Sequence, residues 1–220
     1  MDKQAYYSAA TIGRKSRELL RAVRSLRPKR DRAFDPGRAA LLVLDLQKYF
    51  LDPGSHAHVP SGPAIIPGVN ALVRAFRGSN RPVFITRHLN TPGDAGLMAV
   101  WWKELIVEEN PLSVLSPDLD VPGLPVIRKP RYDAFFGTGL EAALLSHRVA
   151  QVVVCGVLAH LCCETTARSA FMHGFEPFFA VDGTADYNEA FHAATLLNLS
   201  HGFATPILID EILAALGGES

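Results

Sequence analysis

The chain has 220 residues, of which 48% are hydrophobic and 20% charged, and its 22 lysines and arginines balance 22 aspartates and glutamates. This length fits one domain with a substantial core, and no segment approaches the roughly 18 continuous apolar residues of a membrane span. The first twenty residues lack the apolar centre of a secretory signal, so we expect a cytoplasmic protein. Three cysteines, two of them adjacent, and the lack of a CxxC pair argue against a disulfide framework and a structural zinc site.

The net charge of zero conceals a basic N-terminal segment. Residues 1–32 carry ten Lys/Arg against three Asp/Glu, so the other 188 residues are net negative by seven. Apolar residues spaced among the arginines predict an amphipathic helix at 8–27. We expect its apolar side to dock on this subunit or a neighbouring one, and we expect no nucleic-acid binding, because no aromatic platform accompanies the charge. The chain is thus divided into a basic helical extension, 1–33, and one domain, 34–220.

Beyond Pro36-Gly37, short apolar runs alternate with helical patterns. The runs predict strands and the patterns between them predict helices. In chain order these are a strand at 40–44, a helix at 63–77, a strand at 82–86, a helix at 95–107, a strand at 126–128, a helix at 138–147, a strand at 151–155, a helix at 162–173, a strand at 177–181, a helix at 188–200, a strand at 205–209 and a helix at 211–216. The alternation indicates an α/β fold, a three-layer α-β-α sandwich with a six-stranded, mostly parallel sheet.

Three reactive side chains follow strands of this predicted sheet. Asp45 follows the first strand, Lys129 follows the third, and Cys162 opens the helix after the fourth. In parallel sheets of this kind, ligands bind beyond the carboxyl ends of the strands. These three side chains are therefore candidates for one site.

Their chemistry suits attack by a thiol on an acyl carbon. A cysteine at the start of a helix can have its pKa lowered by the helix dipole, Asp45 is a candidate proton acceptor, and the backbone N–H groups of Leu158 and Cys162 are candidate oxyanion donors. Asp45 is alternatively a turn cap, and position alone favours Lys129 as a solvated charge. Cys163 points about 100° away around the helix and, like Cys155, is expected to pack in the core.

Four blocks resemble the isochorismatase-like hydrolases, also called the cysteine hydrolase superfamily. They are AALLVLDLQKYF, RKPRYDAFFGTGL, GVLAHLCCETTARSAF and VDGTADYNEAFH, within residues 34–216. The resemblance implies an Asp-Lys-Cys triad at Asp45, Lys129 and Cys162, with a cis peptide at Val157-Leu158 that orients the oxyanion donors. Because of this resemblance, we expect Lys129 to be a member of the triad and not a solvated charge.

The chain departs from its relatives in two ways. Nicotinamidase-type members have an Asp-x-His metal site after the second strand, where this chain reads Thr86-Arg87-His88-Leu89-Asn90. With the Asp missing, we expect no metal and no other cofactor. The isochorismatases that this chain most resembles have glycine in place of Cys162, although they share its Gly156-Val157-x-Ala159-His160 turn.

Substrate contacts are expected from Gln47, Trp101, Tyr132, Phe135 and His160. Each also has a structural interpretation: Gln47 as a cap, Trp101 or its neighbour Trp102 as a subunit contact, Phe135 as core, and His160 as a support of the turn. His56, His58 and His88 form only a weak metal pattern, and surface histidines are commoner.

The leading hypothesis is a hydrolase that uses Cys162 to cleave the C–N bond of a small amide, carbamoyl or ureido substrate through a thioester. The alternatives are an isochorismatase-type vinyl ether hydrolase, with Asp45 as the acid and no need of the cysteine, and a non-catalytic binding protein. The partners expected are a small-molecule substrate, no nucleic acid and no membrane. The resemblance also implies a homo-oligomer, dimer or tetramer, with the N-terminal helix as a plausible subunit contact.

Overall fold

The computed structural model describes residues 2–26 and 33–217. At its centre lies one six-stranded sheet made of β1 Ala39–Leu44, β2 Val83–His88, β3 Val126–Lys129, β4 Gln151–Gly156, β5 Glu176–Thr184 and β6 Thr205–Ile207. The strands are ordered β3-β2-β1-β4-β5-β6 and every neighbouring pair is parallel. This confirms the predicted α/β class.

Eight α-helices cover the sheet in the described part of the chain: α1 Ile12–Arg24, α2 Lys48–Leu51, α3 Gly62–Gly78, α4 Met98–Trp101, α5 Leu140–Ser146, α6 Glu164–Met172, α7 Glu189–Gly202 and α8 Ile209–Ala215. Helices α3 and α8 pack together against β5, while α1, α6 and α7 form a second packed group against β5 and β6. The two groups are the outer layers of the sandwich. None of the described helices is both long and apolar enough to cross a membrane.

The centre of the sheet is formed by β1 and β4, in which every residue is buried. Their apolar runs are continuous because both faces of these strands meet a helical layer. At the carboxyl end Gly156 has φ +119°, and a Cβ there would lie 2.0 Å from the carbonyl oxygen of Leu44. Only glycine allows this close approach, which brings the ends of β1 and β4 together at the point where the strand order reverses.

The N-terminal segment packs on its own subunit. The apolar side of α1 contacts α7, β5 and β6, with Leu19, Leu20 and Val23 buried. Ahead of the helix, Tyr7 is almost fully buried and its hydroxyl donates to the carbonyl of Val181 at 3.2 Å. Of the two docking alternatives, the structure selects this subunit for the apolar side; residue 27 of the predicted helix lies outside the described residues.

Several predicted elements have other bounds in the structure, and three of the differences concern the surroundings of the candidate site or the end of the sheet. The helix at 95–107 is only Met98–Trp101, flanked by turns. The helix expected from 162 begins at Glu164, after a π-helical turn at Ala159–Cys163. The last strand ends at Ile207, because the amide of Ile209 donates to the partly buried carboxylate of Asp182 at 2.9 Å and α8 starts there.

Candidate active site

Three strand ends bring Asp45, Lys129 and Cys162 together, as their positions predict. Asp45 directly follows β1 with φ +52°, a left-handed conformation that aspartate adopts more readily than most residues. Lys129 is the last residue of β3, and Cys162 lies in the π-helical turn after β4. We call these three side chains the buried cluster, since the side chains of Asp45 and Lys129 are 0% exposed and Cys162 is 3% exposed.

Direct contacts hold the buried cluster in place. The ammonium Nζ of Lys129 lies 2.7 Å from Oδ2 of Asp45 and donates to Sγ of Cys162 at 3.2 Å. It also donates to the carbonyl oxygen of Arg131 at 2.9 Å. The hydroxyl of Thr86 donates to Oδ1 of Asp45 at 2.6 Å. The carboxylate and the sulfur lie within 4.8 Å of each other, which suits proton transfer between them with little movement.

The protonation states follow from burial and charge. Burial alone would lower the pKa of Lys129, but the Asp45 carboxylate and the Cys162 sulfur outweigh it, so the pKa is raised and the ammonium is charged. Burial raises the pKa of the Cys162 thiol, and the Asp45 carboxylate raises it further, against a lowering by Lys129. Cys162 is therefore a thiol at rest. The lowered pKa expected from a helix start is wrong, because the cysteine precedes the helix and is buried beside a carboxylate.

The Asp186 carboxylate holds the turn that carries Cys162. The backbone N–H of His160 donates to Oδ2 of Asp186 at 2.7 Å, and Nδ1 of the same histidine lies 2.8 Å from this carboxylate. The His160 ring stacks on Phe191 with centroids 4.3 Å apart. The Val157-Leu158 peptide bond is cis. His160 thus supports the turn and does not line the cavity described below, which corrects its expected contact with substrate.

The other two cysteines are fully buried. Cys155 and Cys163 each have no exposed surface, and burial raises the pKa of both thiols. Both lie within the hydrophobic core. Their geometry agrees with the packing role expected for them.

At the end of β2, the side chains of His88 and Asn90 contact each other. Nε2 of His88 and Oδ1 of Asn90 are 3.0 Å apart, and burial lowers the pKa of His88 to about 4, with a smaller lowering from Lys129, so the imidazole is neutral near pH 7. Asp45, His88 and Cys162 have ligand atoms within 4.8 Å of one another, a grouping of metal-binding residue types. The Lys129 ammonium already stands beside the carboxylate and the sulfur, where a metal cation would be repelled.

A cavity of about 50 Å³ opens onto Cys162. Its volume suits a small substrate, since a bound water needs roughly 10–15 Å³ on the same measure. The lining combines apolar and aromatic side chains with a few polar ones, and it holds no lysine or arginine among the described residues. It consists of Tyr49, Phe50, His56, Ala57, His88, Asn90, Met98, Trp102, Glu104, Leu105, Ile106, Tyr132, Leu158, Leu161, Cys162 and Tyr187.

Only one of the five predicted substrate contacts lines this cavity. Tyr132 does, with Trp102 edge-on to it at 6.2 Å. Trp101 is 77% exposed and does not line the cavity, whereas its neighbour Trp102 does, which corrects the expected contact of Trp101. Phe135 is buried against the ring of His173, with centroids 4.9 Å apart.

Gln47 is the last of the residues that were expected to contact substrate but do not line the cavity. It is fully buried, and its amide bonds backbone groups of two segments: Nε2 donates to the carbonyls of Ser113 at 2.7 Å and His88 at 3.2 Å, while Oε1 accepts from the His88 N–H at 2.8 Å. It therefore joins the loop at Ser113 to the end of β2, and it does not line the cavity.

Sequence reasoning missed a second polar group on the cavity wall, which we call the rim cluster: Tyr49, His56 and Glu104. The Tyr49 hydroxyl donates to Oε1 of Glu104 at 2.9 Å and lies 2.7 Å from Nε2 of His56, which is 3.1 Å from the same carboxylate oxygen. The Glu104 side chain is 47% exposed. The sequence offers His56 only as part of a weak metal pattern or as a surface histidine, and no local pattern links these three positions.

Comparisons with known proteins agree with this geometry. A family model described as "Isochorismatase domain" matches residues 39–211. "Nicotinamidase 3" of Arabidopsis thaliana is 37% identical over 207 residues, covering 88% of this chain and 98% of that protein. "Enterobactin synthase component B" of Escherichia coli (strain K12) is 32% identical over 193 residues, covering 85% of this chain and 66% of that protein.

Among solved structures, a cysteine hydrolase from Pseudomonas syringae pv. phaseolicola 1448A superposes with a TM-score of 0.82 at 22% identity, covering 87% of this chain and 98% of that one. This likeness shows the shared fold. The family model and the identity to curated relatives show more: the chain is a hydrolase that belongs to the isochorismatase family.

Proposed function

We propose that this hydrolase cleaves the C–N bond of a small amide, carbamoyl or ureido substrate through a thioester on Cys162. The observation that carries the proposal is the buried cluster, in which a thiol, a lysine ammonium and a carboxylate are in contact at the wall of a small cavity. A nicotinamidase among the relatives supports amide chemistry.

The reaction follows from the contacts. Asp45 accepts the thiol proton as Sγ attacks the substrate carbonyl carbon, and Lys129 stabilises both the carboxylate and the forming thiolate. The N–H groups of Leu158 and Cys162 are the proposed donors to the carbonyl oxygen as it gains negative charge. Asp45 returns the proton to the nitrogen, so ammonia or an amine leaves and a thioester remains. Water, deprotonated by Asp45, then cleaves the thioester to release the acid and restore the thiol.

Vinyl ether hydrolysis of isochorismate is the second candidate, since the matching family model takes its description from that activity. Isochorismate carries two carboxylates. The cavity holds the Glu104 carboxylate and no lysine or arginine in its described lining, which favours the amide.

The test is ammonia release from a panel of small amides and ureides, including nicotinamide, compared with the conversion of isochorismate. We expect ammonia from at least one amide with the wild type, and a loss of at least about 1,000-fold with Cys162→Ala. Cys163→Ala is the matched control and should keep most activity. Full turnover by Cys162→Ala, or isochorismate conversion that survives it, would overturn the thioester mechanism. Inactivity on every substrate would favour a non-catalytic binding protein.

We also propose that the protein forms a homo-oligomer, through a contact other than the N-terminal helix. The apolar side of α1 is already used within the subunit, whereas Leu97, Val100 and Trp101 at α4 are each at least 77% exposed. Such an exposed apolar group is typical of a subunit contact. Light scattering after size exclusion should show an oligomer that Trp101→Ser weakens; an unchanged mass would exclude α4 as the contact.

A further inference from the structure

The rim cluster is a charged part of the cavity that the proposed chemistry at Cys162 does not use. From it we infer that the enzyme selects substrates that carry a cationic nitrogen, held by the Glu104 carboxylate and the aromatic wall while the scissile carbonyl meets Cys162. The inference deepens the proposed function and, for its substrate half, rests on it.

Glu104 has no lysine or arginine partner among the described residues. Its Oε1 accepts from Tyr49 and lies 3.1 Å from Nε2 of His56, and neither partner is a permanently charged side chain. In the described part of the chain no lysine or arginine nitrogen lies within 4.0 Å of it. By contrast, Glu108 on the same loop pairs with Arg87 at 3.2 Å.

The wall of the cavity is rich in aromatic rings. Five aromatic side chains line the same cavity: Tyr49, Phe50, Trp102, Tyr132 and Tyr187. Ring faces attract cations, most strongly where water is excluded. A carboxylate together with several rings is the chemistry that recognises an ammonium or guanidinium group.

The rim cluster and Cys162 lie at different depths in the cavity. Cys162 is 3% exposed, whereas the Glu104 side chain is 47% exposed, so the rim cluster lies on the solvent side of the nucleophile. Lys3 lies over the ring of Tyr187 at 4.4 Å and donates to the backbone carbonyl of His56, but it is not among the residues that line the cavity. A cationic group bound inside would therefore meet Glu104 before Cys162.

The experiment uses thiol reagents, so that it does not depend on turnover. Cys162 is treated at pH 7.5 with 2-aminoethyl methanethiosulfonate, which is cationic, and with its neutral isostere propyl methanethiosulfonate. In both, Sγ forms a mixed disulfide and methanesulfinate leaves. Peptide mass spectrometry follows the rate at Cys162, and the cationic-to-neutral rate ratio is divided by the same ratio for N-acetylcysteine.

We expect a normalised ratio of about ten in the wild type, falling towards one in Glu104→Gln. Glu109→Gln, an equal charge change at an exposed residue outside the lining, should leave the ratio unchanged. Tyr49→Phe, which keeps the carboxylate, should retain most of it. A wild-type ratio near one, or an equal ratio in Glu104→Gln, would overturn the inference.

The substrate half is read from an isosteric pair, β-alaninamide and butanamide. We expect kcat/KM to favour the cationic amide by about tenfold in the wild type and by less than twofold in Glu104→Gln. Amide hydrolysis without this preference would overturn the cation site and leave the thioester mechanism standing. A preference for the cationic reagent without any amide hydrolysis would overturn the thioester mechanism and leave the cation site standing.

Discussion

Cys162 of the buried cluster and the three residues of the rim cluster line one cavity, and the two clusters stabilise a carboxylate in different ways. Each contains a carboxylate, but Asp45 is fully buried and has a lysine at 2.7 Å, whereas Glu104 is half exposed and has a tyrosine and a histidine. An unpaired charge away from water costs several kcal/mol, so the buried carboxylate needs a cation within the protein. At the rim, water stabilises the carboxylate, which leaves its charge for a ligand.

The largest expected effect comes from removing the buried cation. Lys129→Met keeps the side-chain length and leaves Asp45 charged and unpaired, so the free energy of unfolding should fall by about 3–5 kcal/mol, with activity at background. Lys103→Met, at an exposed lysine beside Glu104, should change it by less than about 0.5 kcal/mol. Urea denaturation measures both.

The double variant Asp45→Asn/Lys129→Met identifies the source of that loss. It removes both charges, so we expect part of the stability to return while activity stays at background. Equal instability of the single and double variants would show that the unpaired Asp45 charge is not the cause.

The second effect is the pH dependence of Cys162. Because burial and Asp45 raise its pKa above the ordinary value, the thiolate is a minor species near pH 7, and its fraction should grow about tenfold for each pH unit. The rate of iodoacetamide labelling at Cys162 should therefore rise steadily from pH 6.5 to 9, in parallel for wild type and Glu104→Gln. A plateau near pH 7 would mean a lowered pKa.

A matched pair of hydroxyl deletions gives the third comparison. Thr86→Val removes the donor to Asp45 in the buried cluster and should cost about 1–3 kcal/mol, with a fall in kcat. Tyr49→Phe removes the donor to Glu104 at the rim and should cost less than about 1 kcal/mol, since water replaces it. Denaturation midpoints and initial rates test this, and a larger loss for Tyr49→Phe would reverse the comparison.

Salt gives the smallest effect. Raising the ionic strength from 0.1 to 1 M shortens the screening length from about 10 Å to about 3 Å. The cationic reagent preference at the half-exposed rim should drop about threefold, while the stability difference between wild type and Lys129→Met stays within about 0.5 kcal/mol. A preference that does not change with salt would place the cation away from solvent.

Much of the fold could be predicted because buried parallel strands are continuous apolar runs. Because ligands bind beyond the carboxyl ends of parallel strands, Asp45 and Cys162 could be predicted to share one site without any knowledge of distances. Lys129 needed the family resemblance, since among Arg128 and Arg131 it looks like a solvated charge, and the structure buries it completely.

What could not be predicted depends on contacts between distant segments. Tyr49 and Glu104 are 55 positions apart, and whether Trp101 or Trp102 faces the cavity is decided by a loop that no periodic pattern describes. The predicted shift in the pKa of Cys162 has the wrong direction. A helix start is visible in a sequence, whereas burial of the thiol beside Asp45 is not.

The support beneath the Cys162 turn links the two ends of the chain. The Tyr6 hydroxyl accepts from the N–H of Asp186, 180 positions away, and lies 2.9 Å from Nδ1 of His192. During synthesis the N-terminal segment leaves the ribosome first and waits for these partners until nearly the whole polypeptide has emerged. A nascent chain that stops before Asp186 therefore lacks the carboxylate that holds the Cys162 turn.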